Sequence, residues 1–487
     1  MAPSPTILTL DLGTTALKAA LFDLDGDVLA AAQSTFPTRR PRPGWAEQDA
    51  QAWWQATVTA TRQVVRDAEA SIRALAGVGL TSQREGVVPV DDRGEPVAAC
   101  ITWMDRRAQP EAEALGREFP DLHRRTGMRP EATFTAAKVR WLARHEPETL
   151  RRARWLLQPR DFLYYRLTGV VLTDPSLASR TMLFDLRTRA WAPDLVAAAG
   201  ASPDQLPPVL PSLWAPGRLT AEAARALGLT ERTPVLVGGG DRACEALGTG
   251  ARPGRAMEST GTTTNLSLPA EGLPEVPDGI LVSLHVVPGQ VLLEQGLSAS
   301  GAVLAWVRAL TGLTDADLDE VVAHSPAGAR GLRLLPHFHG ARAPWWDPAA
   351  RAVWSGFTLA HDRPDLVRSV LEAVACEVRG CLEVLRASGQ RVEEVVLAGG
   401  GARSRVWAAI KAHTWRLPVL LPRVTEAASL GAMVLAAAGL GLRPLEEATT
   451  LNPPVGRIDP DPALAAQYDR VYAEHRALYQ RMRDVRA

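Results

Sequence analysis

The sequence predicts an α/β protein built from two domains, and three observations carry that reading. Apolar runs of strand character recur at Thr6–Leu12, Val235–Gly238, Ala256–Thr260 and Glu394–Ala398, and each runs into a turn rich in glycine or threonine. Helical stretches are mixed with them along the whole chain, which is the pattern of α/β architecture. The length of 487 residues is more than one hydrophobic core usually serves. The loop Leu206–Pro216 is rich in proline, and Gly248–Gly254 holds three glycines and a proline before a new strand begins. These shifts place the domains at 1–254 and 255–487.

The elements follow in order. Thr6–Leu12 (T-I-L-T-L-D-L) reads as a buried strand ending in Gly13-Thr14-Thr15. Ala19–Asp23 is a second strand, Asp25-Gly26 a hairpin turn, and Val28–Ser34 a third strand. Trp53–Ala70 has the apolar spacing of an amphipathic helix, and Ala76–Thr81 returns to strand. Ala136–Arg144 and Pro147–Arg154 read as helices, as do Asp365–Ala387 and Ser404–Thr414 in the second half. A strand entering a Gly/Thr turn near the start of each half hints weakly at a distant duplication.

Composition narrows the function classes. Lys plus Arg and Asp plus Glu are equal at 54 each, which speaks against a nucleic-acid binder with a large basic face. Apolar residues make up 46%, which argues against disorder. Four cysteines without a C-x-x-C pair predict neither a disulfide framework nor a thiolate zinc site. Asp11 and Lys18 interrupt the first apolar stretch, and Ala427–Leu442 is too short to span a bilayer. The expectation is a cytoplasmic protein with no membrane partner. Only Lys18, Lys138 and Lys411 break an otherwise all-arginine set of cations. The bias has the look of a GC-rich genome, and it singles out these three as places where a compact ammonium is wanted.

Several turns have the residues for chemistry. Asp11 ends a buried strand, where a carboxylate is costly unless it binds something. Gly13, Thr14 and Thr15 supply backbone and hydroxyl donors for an anion, with Lys18 in the next strand. The same residues also read as a threonine-rich turn capped by Asp. Ser259–Thr264 repeats the pattern, with Gly261, Thr262 and Thr263 at its tip. Gly399–Ser404 leads into a helix whose N-terminus favours negative charge, or is simply a tight strand-to-helix turn. Asp241, after three glycines, suits a general base or a helix cap. Gln83-Arg84-Glu85 and Trp103-Met104-Asp105 alternate donors, acceptors and an aromatic face, as a polyhydroxylated ligand requires. No P-loop and no G-x-G-x-x-G after the first strand is present, so neither a P-loop nucleotide site nor a Rossmann dehydrogenase is expected.

Taken together, these motifs resemble the FGGY family of carbohydrate kinases over almost the whole chain. The opening turn Asp11–Thr15 is followed by Pro43–Asp49 with Trp53-Trp54, close to the xylulokinase pattern. Phe134–Leu142 resembles the first family signature, Gly238–Asp241 the catalytic turn, Ala352–Glu372 the second signature and Gly399–Trp407 the adenosine-site turn. The resemblance implies a two-domain actin-like (ribonuclease H-like) fold with an interdomain cleft, ATP and Mg²⁺ as cofactors, and transfer of the γ-phosphoryl group to a sugar or polyol hydroxyl. It implies Asp241 as base and Asp11 near the metal. ATP would be held by Thr14, Thr15, Lys18, Gly261, Thr262, Thr263, Gly400, Gly401, Ala402 and Ser404. The acceptor would be held by Gln83, Arg84, Glu85, Trp103, Asp105, Asp241 and Arg242. A homodimer is the assembly it favours.

The acceptor is read from departures. Xylulokinases carry Met-His where this chain has Arg84-Glu85, while glycerol kinases carry Gln-Arg-Glu and a Trp like Trp103. Thr133 stands where glycerol kinases show a substrate Tyr, and Arg242 replaces the Gln or Asn usually found in the family beside the residue matching Asp241. A ketopentose is the first expectation and glycerol or a tetritol the second. A non-catalytic ATP-binding regulator is the alternative of another class.

Overall fold

The computed structural model describes residues 4–314 and 317–486. The first half is built on a mixed sheet of β1 (Thr6–Leu12), β2 (Ala16–Phe22), β3 (Val28–Thr35), β4 (Leu75–Ser82), β5 (Gly217–Arg218), β6 (Pro234–Val235) and β7 (Gly239–Gly240). Its order is β5-β6-β4-β1-β2-β3, with β7 paired to β4. β1 has neighbours on both sides and is buried throughout, which is why its sequence is an apolar run rather than an alternation.

The second half repeats this plan. Its strands are β8 (Gly254–Thr260), β9 (Thr264–Glu271), β10 (Leu281–Leu284), β11 (Gln290–Leu297), β12 (Val392–Ala398), β13 (Val419–Pro422) and β14 (Pro454–Ile458), in the order β10-β11-β9-β8-β12-β13-β14. In each half a three-stranded antiparallel meander meets two parallel strands and ends on an antiparallel edge: β3-β2-β1-β4-β6-β5 against β11-β9-β8-β12-β13-β14. The duplication that the sequence only hints at is plain in the strand order.

The helices that matter for the site are α1 (Ala50–Asp67), α2 (Thr135–His145), α3 (Asp241–Gly248), α4 (Gly301–Thr311), α5 (Arg363–Ala387), α6 (Arg405–Trp415) and α7 (Ala427–Gly439). The side chain of Asp49 caps α1 by accepting from the Gln51 N–H. α5 opens with a capping box between Asp362 and Asp365. α7 follows β13 of the second sheet but packs on β1 and β4 of the first. It crosses α3 backbone to backbone: a Cβ added to Gly431 would lie 1.9 Å from the Cys244 carbonyl oxygen, and one on Gly248 2.0 Å from that of Ala427. The two halves are thus joined through glycine contacts in an apolar layer that includes Ile7, Leu236, Met257, Val396 and Leu430. The apolar Ala427–Leu442 segment is this buried connection. Among the described residues no helix is long and apolar enough to cross a membrane. The four cysteines are buried and unpaired.

The strand expected at Val235–Gly238 is shorter, because Gly238 takes φ +69° and breaks it before Gly239-Gly240 rejoins β4.

Candidate active site

Two cavities share the turn between β8 and β9. The larger, about 760 Å³, is lined by Thr260, Gly261 and Thr262 of that turn, by Gly301 and Leu304 of α4, and by Asp319, Gly400, Gly401, Arg403, Ser404 and Trp407. The smaller, about 130 Å³, takes Thr263, Thr264 and Asn265 from the other end of the turn. Its remaining walls are Thr14, Arg84, Glu85, Trp103, Thr133, Arg180, Asp241 and Arg242 from the first half, with Gly296, Leu297 and Arg342 from the second. The turn Gly261–Thr263 thus contributes a wall to each cavity.

That turn is braced from below. The Thr262 carbonyl accepts from the Ala302 N–H at 3.0 Å. The Thr260 and Thr264 hydroxyls are 2.8 Å apart, and Thr260 donates to Glu258 Oε1 at 2.5 Å. Glu258 Oε2 accepts from Lys411 Nζ at 2.7 Å, and neither side chain has any exposure. The Lys411 ammonium lies 4.6 Å from the ring centroid of Trp407, a wall of the larger cavity.

In the smaller cavity Asp241 is the first residue of α3, placed there by the Gly238–Gly240 turn, and its side chain is 33% exposed. Desolvation by the walls raises its proton affinity, opposed first by Arg84 and then by Arg242. Arg84 Nε is 3.4 Å from Asp241 Oδ1. The guanidinium fork of Arg84 donates twice to Glu294 on β11, at 2.9 and 2.8 Å. Arg180 joins the cluster through Glu85 Oε1 at 2.7 Å and Glu294 Oε1 at 3.4 Å. Burial works against the Glu294 charge, yet Arg84 and Arg180 hold its carboxyl well below the usual range. Arg242 donates to Glu245 at 2.6 Å and to the Ser259 hydroxyl at 2.8 Å. Trp103 Nε1 donates to the Thr14 hydroxyl at 3.2 Å.

Of the residues read from sequence, Thr14, Arg84, Glu85, Trp103, Asp241, Arg242 and Thr263 meet in the smaller cavity, and Gly261, Thr262, Gly400, Gly401 and Ser404 in the larger. Gln83, Asp105, Asp11, Thr15, Lys18 and Ala402 are not among the described lining residues of either. The Asp105 carboxylate, expected as an acceptor ligand, accepts instead from Arg107 at 2.8 Å and from the Ala46 N–H at 2.6 Å in this structure. Gln83 donates to Gln48 at 2.8 Å beneath the site. Lys18 pairs with Glu426 at the start of α7 instead of facing a cavity. Ala402 packs on the second-half core, and Arg403 takes the cavity wall in its place. Ser404 caps α6 through the Trp407 N–H and donates to Asp319.

Sequence reasoning missed Arg180, Glu294, Arg342, Asn265 and Asp319. A signal existed for Glu294: a carboxylate inside the apolar run V-L-L-E is as anomalous as Asp11 in its strand.

Asp11 stands opposite Lys18 in the β1–β2 register. Burial pushes its pKa up to about 7, with Lys18 pulling back and Asp241, Glu426 and Glu245 adding to the rise. A buried carboxylate crowded by other carboxylates is a place where a divalent cation relieves repulsion, so the residues fit the expected metal. Among the described residues no three His, Cys, Asp or Glu side chains gather closely enough to hold a metal ion alone. A hard cation here would take most of its ligands from water and phosphate oxygens, as Mg²⁺ does.

Comparison with known proteins agrees with this geometry. The N-terminal domain model of the FGGY family of carbohydrate kinases matches residues 6–248, and its C-terminal counterpart matches 256–440. The chain is 33% identical over 401 residues to the xylulose kinase of Escherichia coli K12, covering 82% of each chain. It is 34% identical over 489 residues to a glycerol kinase of Alkalilimnicola ehrlichii, covering 94% of this chain and 96% of the other. The solved xylulose kinase of Rhodospirillum rubrum superposes with a TM-score of 0.90 at 32% identity, over 99% of both chains. This two-lobed, actin-like chain belongs to the FGGY family of carbohydrate kinases, and it is a phosphotransferase with an alcohol group as acceptor.

Proposed function

We propose that the enzyme moves the γ-phosphoryl group of ATP to a hydroxyl of a ketopentose. The observation that supports it most is the shared turn: Gly261 and Thr262 face a cavity of nucleotide size, while Thr263 faces a small polar cavity holding Asp241. In this reading Asp241 accepts the proton of the attacking hydroxyl. Gly261–Thr263 hold the phosphates with backbone and hydroxyl donors, and Gly400 and Gly401 let the base lie against the chain. Asp11 would hold Mg²⁺, and the ion would supply charge neutralisation for the transferring group. The xylulose kinases among the relatives favour a ketopentose.

A polyol such as glycerol or a tetritol is the second reading. It is favoured by Arg84, Glu85 and Trp103 lining the cavity together. Coupled ADP release across ketopentoses, aldonates, glycerol and tetritols tests both. A ketopentose with kcat/KM at least about tenfold above glycerol is expected. Glycerol or a tetritol leading would select the second reading, and no acceptor-dependent release with any of them would overturn both.

The same proposal includes a lobe boundary at residue 254, a cytoplasmic setting and a homodimer. The balanced charge of the chain fits a small-molecule enzyme better than a nucleic-acid partner. Light scattering giving a mass near one chain's 52.4 kDa would overturn the dimer.

A further inference from the structure

Lys138 lies on α2 with no exposure, and its ammonium donates to two backbone carbonyls, those of Glu85 at 2.7 Å and of Thr133. Glu85 and Thr133 come from separate segments, and both line the smaller cavity. Among the described residues no carboxylate lies within ion-pair distance of Lys138. Glu85 lies on the loop after β4, and Cys100, Asp105 and Arg106 are the other titratable or charged groups that act on Lys138. Burial pulls the lysine's pKa down to about 8, with Glu85 the main opposing influence. A costly buried charge with only carbonyl partners calls for a reason.

The backbone of Glu85 supplies one. Glu85 takes φ +64°, the left-handed region that a side chain adopts only under constraint. Every polar group of the residue is held. Its N–H donates to Gln158 Oε1 at 3.0 Å, and its carbonyl accepts from Lys138 and from the Thr135 hydroxyl at 3.2 Å. Its carboxylate accepts from Arg180 at 2.7 Å. Lys138 is thus the point where the loop after β4 and the entry to α2 are tied together. Fifty-one of the 54 cations in this chain are arginine. A longer, planar guanidinium does not fit the space of a compact ammonium at a fully packed point without displacing its neighbours.

We propose that Lys138 is a positioning residue of the acceptor cavity, fixing Glu85 and Thr133 relative to one another and so setting acceptor affinity without affecting the nucleotide. This rests on the reading of the smaller cavity as the acceptor site. The test compares wild type with Lys138→Met, Lys138→Arg and the milder Thr135→Val, which removes only the second donor to Glu85. Acceptor KM should rise about tenfold or more in both Lys138 variants and less in Thr135→Val, with ATP KM within about twofold. Hydrogen–deuterium exchange should rise in residues 83–87 and 131–135, with ADP affinity by calorimetry unchanged. Equal rises in both KM values, full retention of acceptor KM in Lys138→Arg, or unchanged exchange in the two segments would each overturn the proposal. If no acceptor supports turnover the cavity reading fails, and exchange together with ADP affinity still decides whether Lys138 ties the segments. Should neither Lys138 variant fold, Thr135→Val decides alone: an unchanged acceptor KM with unchanged exchange overturns the idea.

Discussion

The two cavities are built on opposite principles. The larger is walled by glycines, Leu304 and Trp407 beside Asp319 and Arg403, and two of its four glycines leave no room for a side chain: a Cβ on Gly301 would lie 1.9 Å from the Gly261 carbonyl oxygen and one on Gly401 2.7 Å from the Thr260 Cβ, while Gly261 and Gly400 face open space. The smaller is walled by Arg84, Glu85, Arg180, Asp241, Arg242 and Arg342, and its charges are paired from behind by Glu294, Glu245 and Glu131. One cavity offers a ligand the backbone of its glycine turns, the other a braced ionic wall. The first should fail when bulk is added and the second when a charge is removed. Substitutions that obey this division sharpen the contrast, and one that disobeys it breaks it.

The largest effect is expected at Asp241. Asp241→Asn keeps the shape and removes the base, so kcat should fall by about 10²–10⁴-fold. ADP affinity, measured by calorimetry, should stay unchanged, because the larger cavity does not include this residue. Comparable kcat in the variant would remove Asp241 from the chemistry. Next comes Glu294→Ala, which leaves Arg84 and Arg180 as buried cations without their shared partner. Breaking such a cluster costs about 3–5 kcal/mol, to be read as a lower denaturant midpoint. A midpoint equal to that of wild type would show that the wall is not braced from the second half. Third is Gly401→Ala. Its Cβ would meet the Thr260 Cβ at 2.7 Å, on the hydrogen-bonded chain under the shared turn. Overpacking of about 1–3 kcal/mol should raise ATP KM about tenfold and leave acceptor KM alone.

The same division explains what was legible in the sequence. Apolar strands running into glycine turns are local patterns, so the turns at Asp11, Thr260, Asp241 and Gly399 could be read directly. The duplicated sheet could not, because D-L-G-T-T and S-T-G-T-T-T share only the G-T-T of the turn itself, and strand order is what shows their equivalence. Arg84 and Glu85 were readable through the family resemblance. The partner of Arg84, Glu294, lies 210 residues away, and a pair that distant leaves no local trace. Asp105 reads as a ligand because it is a carboxylate beside a tryptophan, and the sequence does not show that its carboxylate pairs with Arg107, two residues along the same loop. Lys411 was visible only as an exception to an arginine bias, and Lys138 as such an exception within the first signature segment. Each ammonium turned out to sit at a fully buried joint, one beneath each cavity.

The smallest effect is a displacement along the pH axis, and it discriminates between two roles for Arg84. Asp241 must be ionised to accept a proton, so activity falls as pH drops through its pKa. Desolvation raises that pKa, which puts the acidic limb of kcat/KM above the ordinary aspartate range. Arg84 is the first of the cations that oppose the rise, its Nε 3.4 Å from the carboxylate. Removing the guanidinium in Arg84→Met should therefore move the limb to still higher pH, a change read from kcat/KM measured between about pH 5 and 9. Were Arg84 only a hydroxyl-binding group, the variant would raise acceptor KM equally at every pH and the limb would stay in place. The fork of Arg84 is already engaged by Glu294, so little of the side chain is left to bind a hydroxyl. The geometry accordingly favours the shifted limb, which would make the wall of the smaller cavity a device for keeping its base ionised.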